Sequence, residues 1–254
     1  MSTNTSGLGM VEVADHSPKT SPRTYARIVG GLYLVIFFLG PFAFFMGRTS
    51  VVVPGDPSAT ISNLMASEAM FRFGMVAETL IILIEIVVSA ILYVLLRPVS
   101  QPISLASALA RFAQSILQAV NLFTAVPALL LLGGAGYLTT FAQDQLNALV
   151  LLSMDANAFV IIIWGLLFGF HLLLLGYLVY NSGFWPRILG ILLLIASLGY
   201  LAQSYGHLLM PQYDDLLAIV VVVLAVPSEL AFTVWLLWKG IDVEKWEKRA
   251  FESA

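Results

Sequence analysis

The sequence predicts an all-α polytopic membrane protein, a bundle of six transmembrane helices with both termini in the cytoplasm. Three observations predict this fold. Only 11% of the 254 residues are charged and 59% are apolar, whereas soluble domains carry about 25% charged residues. Six apolar runs are each long enough to cross a bilayer, which takes roughly 20 helical residues. Lysine and arginine gather in the segments on one side of these runs, as they do in cytoplasmic loops.

The chain divides into three predicted segments. Residues 1–22 are polar and rich in Ser and Thr, and they lack the basic start and early apolar core of a cleavable signal. We therefore expect a disordered cytoplasmic tail there, in which His16 is inert. The six-span domain covers residues 23–240, and residues 241–254 form a charged cytoplasmic tail.

The six spans are bounded by polar or turn-forming residues. The fourth and fifth flank a short break, residues 181–187, that holds turn formers, a Trp and an Arg; this pattern predicts a helical hairpin turning at the cytoplasmic surface. The third span is longer than a bilayer requires, so we expect it to tilt or protrude. The predicted spans are residues 28–46, 73–96, 102–132, 158–180, 187–209 and 216–238.

The orientation follows from the basic residues. Nine of them fall on one side of the spans, whereas only Arg48 and Arg72 fall on the other and Arg111 lies within a span. Because cytoplasmic loops carry the excess of Lys and Arg, the side with nine is predicted to be cytoplasmic. The nine are Lys19, Arg23, Arg27, Arg97, Arg187, Lys239, Lys245, Lys248 and Arg249.

Two short amphipathic helices are predicted in the outer loops. Asp56 followed by Pro57 is typical of a helix start. Thr140 and Gln143 have the spacing of a capping box, and an apolar stripe follows to Met154. The second helix is therefore expected to lie on the outer membrane face, either as a lid over a cavity or as a surface helix that closes the loop, which we favour.

Several polar and ionisable side chains fall inside the spans, where they are expensive and usually face the bundle interior. The longest polar stripe is on the third span, over residues 104–121, and it must face protein or water rather than lipid. Helical spacing also groups residues of the second and fifth spans on single faces. The candidate ligand-binding or proton-relay residues are Glu78, Glu85, Arg111, Gln114, Gln118, Asn121, His171, Tyr200, Gln203, His207 and Glu229.

The depth of these residues separates two layers. At 1.5 Å per helical residue, four of them lie roughly 14–17 Å from the cytoplasmic end of their spans. We call Glu85, Arg111, His171 and Glu229 the midplane cluster. A second layer is predicted at roughly 24–30 Å on the same count, and it holds Glu78, Gln118, Gln203 and His207. The two layers together predict a polar core that opens toward the outer face.

Arg111 is expected to pair with a midplane carboxylate, because an unpaired charge at mid-bilayer is costly. Glu85 is the favoured partner, since the second and third spans are joined by a short turn and must be antiparallel neighbours. Glu229 is the alternative partner. The pair has either a functional role or only the structural one of fixing helix order, and the sequence leaves both open.

Glycines at positions 165, 169 and 176 share one face of the fourth span. Small residues let helices approach closely, so this face is predicted to pack against another helix. His171 lies well away from that face, on the side of Trp164.

Motifs for common chemistries are absent from the sequence. There are no cysteines, hence no disulfides and no thiolate ligands, and no HExxH, GxSxG or phosphate-binding glycine loop occurs. We therefore predict no catalytic residue, no metal and no cofactor. The net charge of −3 gives no reason to expect a nucleic-acid partner.

Several stretches together resemble one bacterial family. They are ARIVGGLYL from Ala26, VVVPGDPSAT from Val51, FRFGMVAE from Phe71, YVLLRPV from Tyr93, QAVNL from Gln118 and GFHLLLLGYLVYNSGFWPRILG from Gly169. The chain is similar to the integral-membrane family called domain of unknown function 4386, from Arg23 to Gly240. This resemblance implies a bacterial inner-membrane protein of several helices, and it implies no activity.

For function, the sequence favours binding or proton-coupled transport of a small molecule through an outward-facing polar cavity. The alternative is a non-catalytic sensory or accessory membrane protein whose polar core is structural. A weaker alternative is an intramembrane enzyme, since the acids and histidines could exchange protons but no nucleophile stands at a recognisable spacing. The expected partners are the lipid bilayer and a small-molecule ligand; no oligomeric state is predicted.

Overall fold

The structure, a computed structural model, describes residues 20–253 except for the side chains of Arg48 and Ala158. The predicted N-terminal tail, with His16, lies outside these residues but for its last three. The described residues form helices and no strand, so the all-α class is confirmed. The helices are α1 (Pro22–Pro41), a π-helical segment (Phe42–Arg48), α2 (Pro57–Ala66), α3 (Glu68–Leu96), α4 (Gln101–Leu122), α5 (Val126–Leu132), α6 (Gln143–Ser182), α7 (Arg187–Leu209), α8 (Asp214–Trp238) and α9 (Val243–Glu252).

Six helical stretches are long and apolar enough to cross a membrane, as predicted. Their outer surfaces expose large apolar side chains, for example Phe38, Leu83 and Val223. Such surfaces suit contact with lipid, where every backbone polar group must be satisfied within its own helix. The stretches are Pro22–Gly47, Glu68–Leu96, Gln101–Leu132, Gln143–Ser182, Arg187–Leu209 and Pro211–Trp238.

The six spans form a closed ring in which each helix contacts two neighbours. The order around the ring is α1, α3, α4, α6, α7, α8 and back to α1. Short turns join α3 to α4, α6 to α7 and α7 to α8, so the helices of each of these pairs are neighbours. The ring closes where Gly30 of α1 lies against Leu237 of α8, so closely that an added methyl group would stand 2.9 Å from that leucine. The polar faces of the spans therefore point into a common interior.

Helices α6 and α7 form the predicted hairpin. Gly183 ends α6 in the left-handed region, with φ of 76°, which glycine adopts without steric penalty. The glycine face of α6 packs on α7 as predicted: Gly165 faces Ser204, Gly169 faces Tyr200, and Gly176 approaches the backbone of Gly190. Close backbone contact thus fixes the hairpin over several turns.

The first outer helix is confirmed. α2 begins after Asp56, whose Oδ1 accepts a hydrogen bond of 2.9 Å from the Ala59 amide. This bond satisfies one of the free amides at the helix N-terminus.

The prediction of a separate amphipathic helix at residues 143–154 is wrong. Those residues are the first third of α6, which runs unbroken for 40 residues. No Gly or Pro stands between residues 143 and 158 to end a helix there. Val150 and Met154 are buried against Leu64 and Phe71, so this part of α6 packs in the protein and is not a detached lid. The N-terminal cap of α6 also differs from the predicted pair of Thr140 and Gln143. Instead, the Ala142 amide donates to Gln145 Oε1 at 3.1 Å.

The long third span is interrupted. A 3-10 turn at Phe123–Ala125 separates α4 from α5. Pro127 explains the break, because its ring clashes with the carbonyl of residue 123 and it has no amide hydrogen to donate. The extra length predicted from the sequence is therefore divided between two helices.

The charged C-terminal segment folds into α9 and docks on the bundle. Asp242 caps the helix by accepting from the Lys245 amide at 3.3 Å. Trp246 reaches back to the end of α3, where its Nε1 donates to the Leu95 carbonyl at 2.8 Å. α9 thus lies at the end of the bundle that carries Arg23, Arg97, Arg187 and Lys239, which we call the basic end.

Candidate functional site

Arg111 lies inside the helix ring and pairs with Glu85. Its Nη2 is 3.6 Å from Glu85 Oε1, and both side chains are 2% exposed. The turn between α3 and α4 brings the two residues to the same level, as the sequence predicted. The preference for Glu85 as the partner of Arg111 is therefore confirmed.

Two further side chains of α4 hold the Glu85 carboxylate. Gln114 Nε2 donates to Oε1 at 3.0 Å, and Ser115 Oγ donates to Oε2 at 3.1 Å. Both carboxylate oxygens thus have partners, which a buried carboxylate requires. Ser115 is not among the residues predicted from the sequence, although it stands four residues after Arg111 and so borders the same helix face.

Aromatic rings enclose the other side of the Arg111 guanidinium. Its carbon is 4.8 Å from the centre of the Phe168 ring and 5.4 Å from that of Tyr33. Rings at this distance attract a cation through their electron-rich faces. No pattern in the sequence indicated these two contacts, because Phe168 and Tyr33 belong to other spans and each looks like an ordinary apolar-face aromatic.

The Arg111 guanidinium is only partly satisfied by hydrogen bonds. Within residues 20–253, its Nε and Nη1 are buried and have no acceptor in hydrogen-bonding distance. Buried donors usually have a partner, so such atoms call for an explanation. They mark one side of Arg111 as able to bind an acceptor group.

His171 faces the same interior from α6. Its Nδ1 is 2.9 Å from the Ser107 carbonyl and 3.0 Å from Ser107 Oγ. A carbonyl oxygen can only accept, so Nδ1 carries the hydrogen and Nε2 of the neutral ring is an acceptor. Ser107 Oγ therefore cannot give its proton to Nδ1, and the two residues do not form the nucleophile–base pair of a hydrolase.

Glu229 completes the midplane cluster from α8. It is half-buried, and the Tyr200 hydroxyl donates to its Oε1 at 3.2 Å. Arg111 interacts electrostatically with both Glu229 and His171. The four predicted midplane residues thus come together, and every span contributes to their surroundings: Tyr33, Glu85, Arg111, His171, Tyr200 and Glu229 come from the six spans in ring order.

Two residues of the predicted second layer have hydrogen-bond partners on other helices. Gln118 Oε1 accepts from Trp164 Nε1 at 3.2 Å, which ties α4 to α6. His207 instead pairs with Asp214 at 2.7 Å, near the turn between α7 and α8. This contact joins the end of α7 to the start of α8. Glu78 and Asn121 are buried and Gln203 is half-buried.

The interior is closed rather than open to the outer face. Arg111, Glu85 and Gln114 are at most 2% exposed. The cavity beside Glu229 has a volume of only about 10 Å³, close to the minimum for one water molecule. The midplane cluster is therefore enclosed in this conformation, whereas the sequence predicted a polar core that opens toward the outer face. Within residues 20–253, no three His, Asp or Glu side chains meet in a group that could hold a metal ion.

Comparisons with known proteins identify a family and a relative, and neither has an assigned activity. The family model described as "Domain of unknown function (DUF4386)" matches residues 28–240. An uncharacterized protein of Archaeoglobus fulgidus is 31% identical over 170 residues, which cover 66% of this chain and 84% of that protein. No solved structure matches the chain.

Proposed function

The chain belongs to the family described as domain of unknown function 4386, and we propose that it binds or transports a small molecule together with protons at the midplane cluster. The observation that carries this proposal is the charge of that cluster. One guanidinium, Arg111, faces two carboxylates, Glu85 and Glu229. His171 adds no positive charge in this proposal, because its Nδ1–H bonds the Ser107 carbonyl and its buried Nε2 has no acceptor among the described residues for a second proton.

The charge count requires a proton. With both carboxylates ionised, the cluster would hold one negative charge in excess, and a charged side chain at mid-bilayer costs at least about 2.5–3.5 kcal/mol on insertion scales. A proton on one carboxylate removes that excess. Glu85 has the ion pair and two hydrogen-bond donors, whereas Glu229 has the Tyr200 hydroxyl. Glu229 is therefore the proton carrier in this proposal.

Arg111 links the proton to a ligand. When Glu229 is ionised it competes for the positive charge of Arg111; when it is protonated, that charge is balanced by Glu85 alone. The unpaired Arg111 Nε and Nη1 then offer donors to a carboxylate or another acceptor group of a small molecule. Ligand and proton favour each other's binding, and this coupling acts in both directions. Because the cluster is enclosed, exchange requires the helix ring to open.

Infrared difference spectroscopy on the full chain tests the proton carrier. Between acidic and alkaline buffer, the carbonyl stretch of a protonated, buried carboxylic acid should appear in the wild-type protein and should vanish in Glu229→Gln. It should also be lost in Glu85→Gln, because Arg111 then balances the charge of Glu229 alone. Glu244→Gln is the control, since Glu244 is exposed on α9. A band that persists in Glu229→Gln would contradict the assignment.

Proteoliposomes with a trapped pH indicator test the coupling. Small carboxylates added outside should acidify the lumen with the wild-type protein and with Glu244→Gln, but not with Arg111→Gln or Glu229→Gln at equal reconstituted amounts. Equal acidification by all four proteins would argue against proton-linked transport by this cluster.

A sensory or accessory role is the second candidate, and one observation favours it. Glu85 is fully satisfied within the protein, and its contacts join α3 to α4. In that role the cluster only stabilises the helix order. Glu229→Gln would then change neither the infrared band nor proton movement, and only the thermal stability would respond.

A further inference from the structure

A cleft of about 410 Å³ lies at the basic end, away from the midplane cluster. Four parts of the chain form it: the start of α1, the α6–α7 turn, the end of α8 and the start of α9. It brings together basic side chains that are far apart in the sequence, Arg23 from α1, Lys239 after α8 and Lys245 on α9.

The cleft carries a net positive charge. Asp242 also lines it and pairs with Lys245, whose Nζ is 3.1 Å from Asp242 Oδ2. Hydrogen bonds from Lys245 hold the pKa of Asp242 below its ordinary value, so Asp242 is ionised at neutral pH and cancels the charge of Lys245. Arg23 also interacts electrostatically with Asp242, but this one carboxylate faces three cations, Arg23, Lys239 and Lys245, so the cleft keeps two positive charges in excess.

The walls of the cleft are held by contacts between its parts. The buried Trp185 donates from Nε1 to the Gly240 carbonyl at 2.8 Å. Arg23 donates from Nε to the Ile241 carbonyl at 3.4 Å, and within residues 20–253 its two terminal nitrogens donate no hydrogen bond, so they are open to another acceptor. Side chains fixed in this way lose little freedom when they bind a ligand.

The position of the cleft corresponds to the headgroup level of a bilayer. Lys239 directly follows the last span, and its Nζ lies 4.7 Å from the ring centre of Trp238. Trp238 is 70% exposed, as expected for an aromatic residue at the membrane–water interface. Arg23 lies in the first turn of the first span. Arg23 and Lys239 are therefore at the depth where lipid phosphates lie.

We propose that this cleft is a phosphate-binding site, in which Arg23 and Lys239 hold the phosphate group of an anionic phospholipid. Basic pockets between transmembrane helices bind anionic lipid headgroups, and an Arg–phosphate hydrogen bond is strong because both partners are charged. Free inorganic phosphate offers the same chemistry, so the experiment must separate the two sources. This site is independent of the proposed proton-linked function.

The test measures thermal unfolding of the full chain in phosphatidylcholine-containing micelles at constant ionic strength. Phosphatidylglycerol or inorganic phosphate is added, and the apparent affinity is taken from the rise in unfolding temperature. For Arg23→Gln with Lys239→Gln, we expect the affinity to fall roughly thirtyfold, since each basic group near the surface contributes a factor of about five. The control is Arg97→Gln with Lys248→Gln, which removes two exposed charges from the same end but outside the cleft.

The outcomes distinguish a lipid phosphate from free inorganic phosphate, and they also test whether the cleft binds phosphate at all. A response to phosphatidylglycerol that only the Arg23/Lys239 variant loses supports a lipid site, and the same pattern with inorganic phosphate supports a site for the free ion. Equal loss in both double variants, or no response in the wild-type protein, overturns the proposal. Should the double variant not fold, Lys239→Gln alone, at an exposed position, must weaken the response about fivefold.

Discussion

At the residue scale, Arg111 determines the electrostatics of the interior. It is 2% exposed, pairs with Glu85 and is flanked by two aromatic rings. A buried pair is weak evidence for net stabilisation, but the removal of one partner leaves an uncompensated charge. Arg111 is the single guanidinium of the midplane cluster, and it interacts electrostatically with both Glu229 and His171. Substitutions here should therefore interact strongly with each other.

A double-mutant cycle checks this expectation. Arg111→Gln or Glu85→Gln alone should lower the free energy of unfolding in detergent by about 3–5 kcal/mol, because each leaves the other charge buried and unpaired. The double variant should recover much of that loss. Gln118→Leu is a control that removes a polar group of α4 outside this pair. Losses that simply add would show that the pair is not coupled.

At the element scale, the α6–α7 hairpin depends on backbone contact. A methyl group added at Gly190 would stand 2.6 Å from the Tyr180 amide nitrogen and 2.8 Å from the Gly176 carbonyl oxygen. Backbone atoms cannot yield as the tip of a flexible side chain can. The two helices would have to separate, and the floor of the basic-end cleft, which includes Trp185 of the hairpin turn, would move with them.

Gly190→Ala should therefore destabilise the protein by about 1–3 kcal/mol, the usual effect of overpacking. Gly31→Ala is the matched control: it is also a glycine within a spanning helix, but an added methyl group there meets nothing within 4 Å. It should raise stability by about 0.5–1 kcal/mol, because alanine loses less backbone entropy in a helix. Thermal unfolding of the two variants in the same detergent gives the comparison. Equal effects of the two substitutions would show that the hairpin does not need close contact at Gly190.

At the scale of the whole molecule, the closed ring of six spans places both described ends of the chain at the basic end. Arg23 of α1 donates to the Ile241 carbonyl just before α9, so the two ends are in contact. The excess of Lys and Arg at this end predicts that it faces the cytoplasm.

Reporter fusions check the orientation in the membrane. Fusions after Arg97, after Arg187 and at the C-terminus should report the cytoplasm, whereas fusions after Asp144 and Asp214 should report the outer side. The physical reason is the retention of positively charged loops on the cytoplasmic side. The control is a variant that keeps only the first two spans and carries the reporter after Arg97. Because two spans return the chain to the side on which it began, this reporter should also be cytoplasmic. A C-terminal fusion on the outer side would refute the topology.

The sequence by itself determined which six stretches span the membrane. Apolar runs of bilayer length fixed the six spans because a helix satisfies its backbone hydrogen bonds locally, whatever lies beside it. Helical spacing likewise placed Arg111 and Gln114 on one buried face of α4, and the short turn at residues 97–101 made Glu85 a neighbour. The glycine face of α6 could be identified for the same local reason.

Only the tertiary structure decided how distant spans meet. The contacts of Tyr33 and Phe168 with Arg111, and of Tyr200 with Glu229, depend on the order of helices around the ring. The sequence holds no periodic signal for that order, because any apolar face can pack against any other. The same holds for the closure of the interior and for the basic-end cleft, where Arg23 and Lys239 meet only because α1 packs on α8. The local pattern of apolar and polar residues determined the spanning helices. Packing between these helices brought together the residues of the midplane cluster and those of the basic-end cleft.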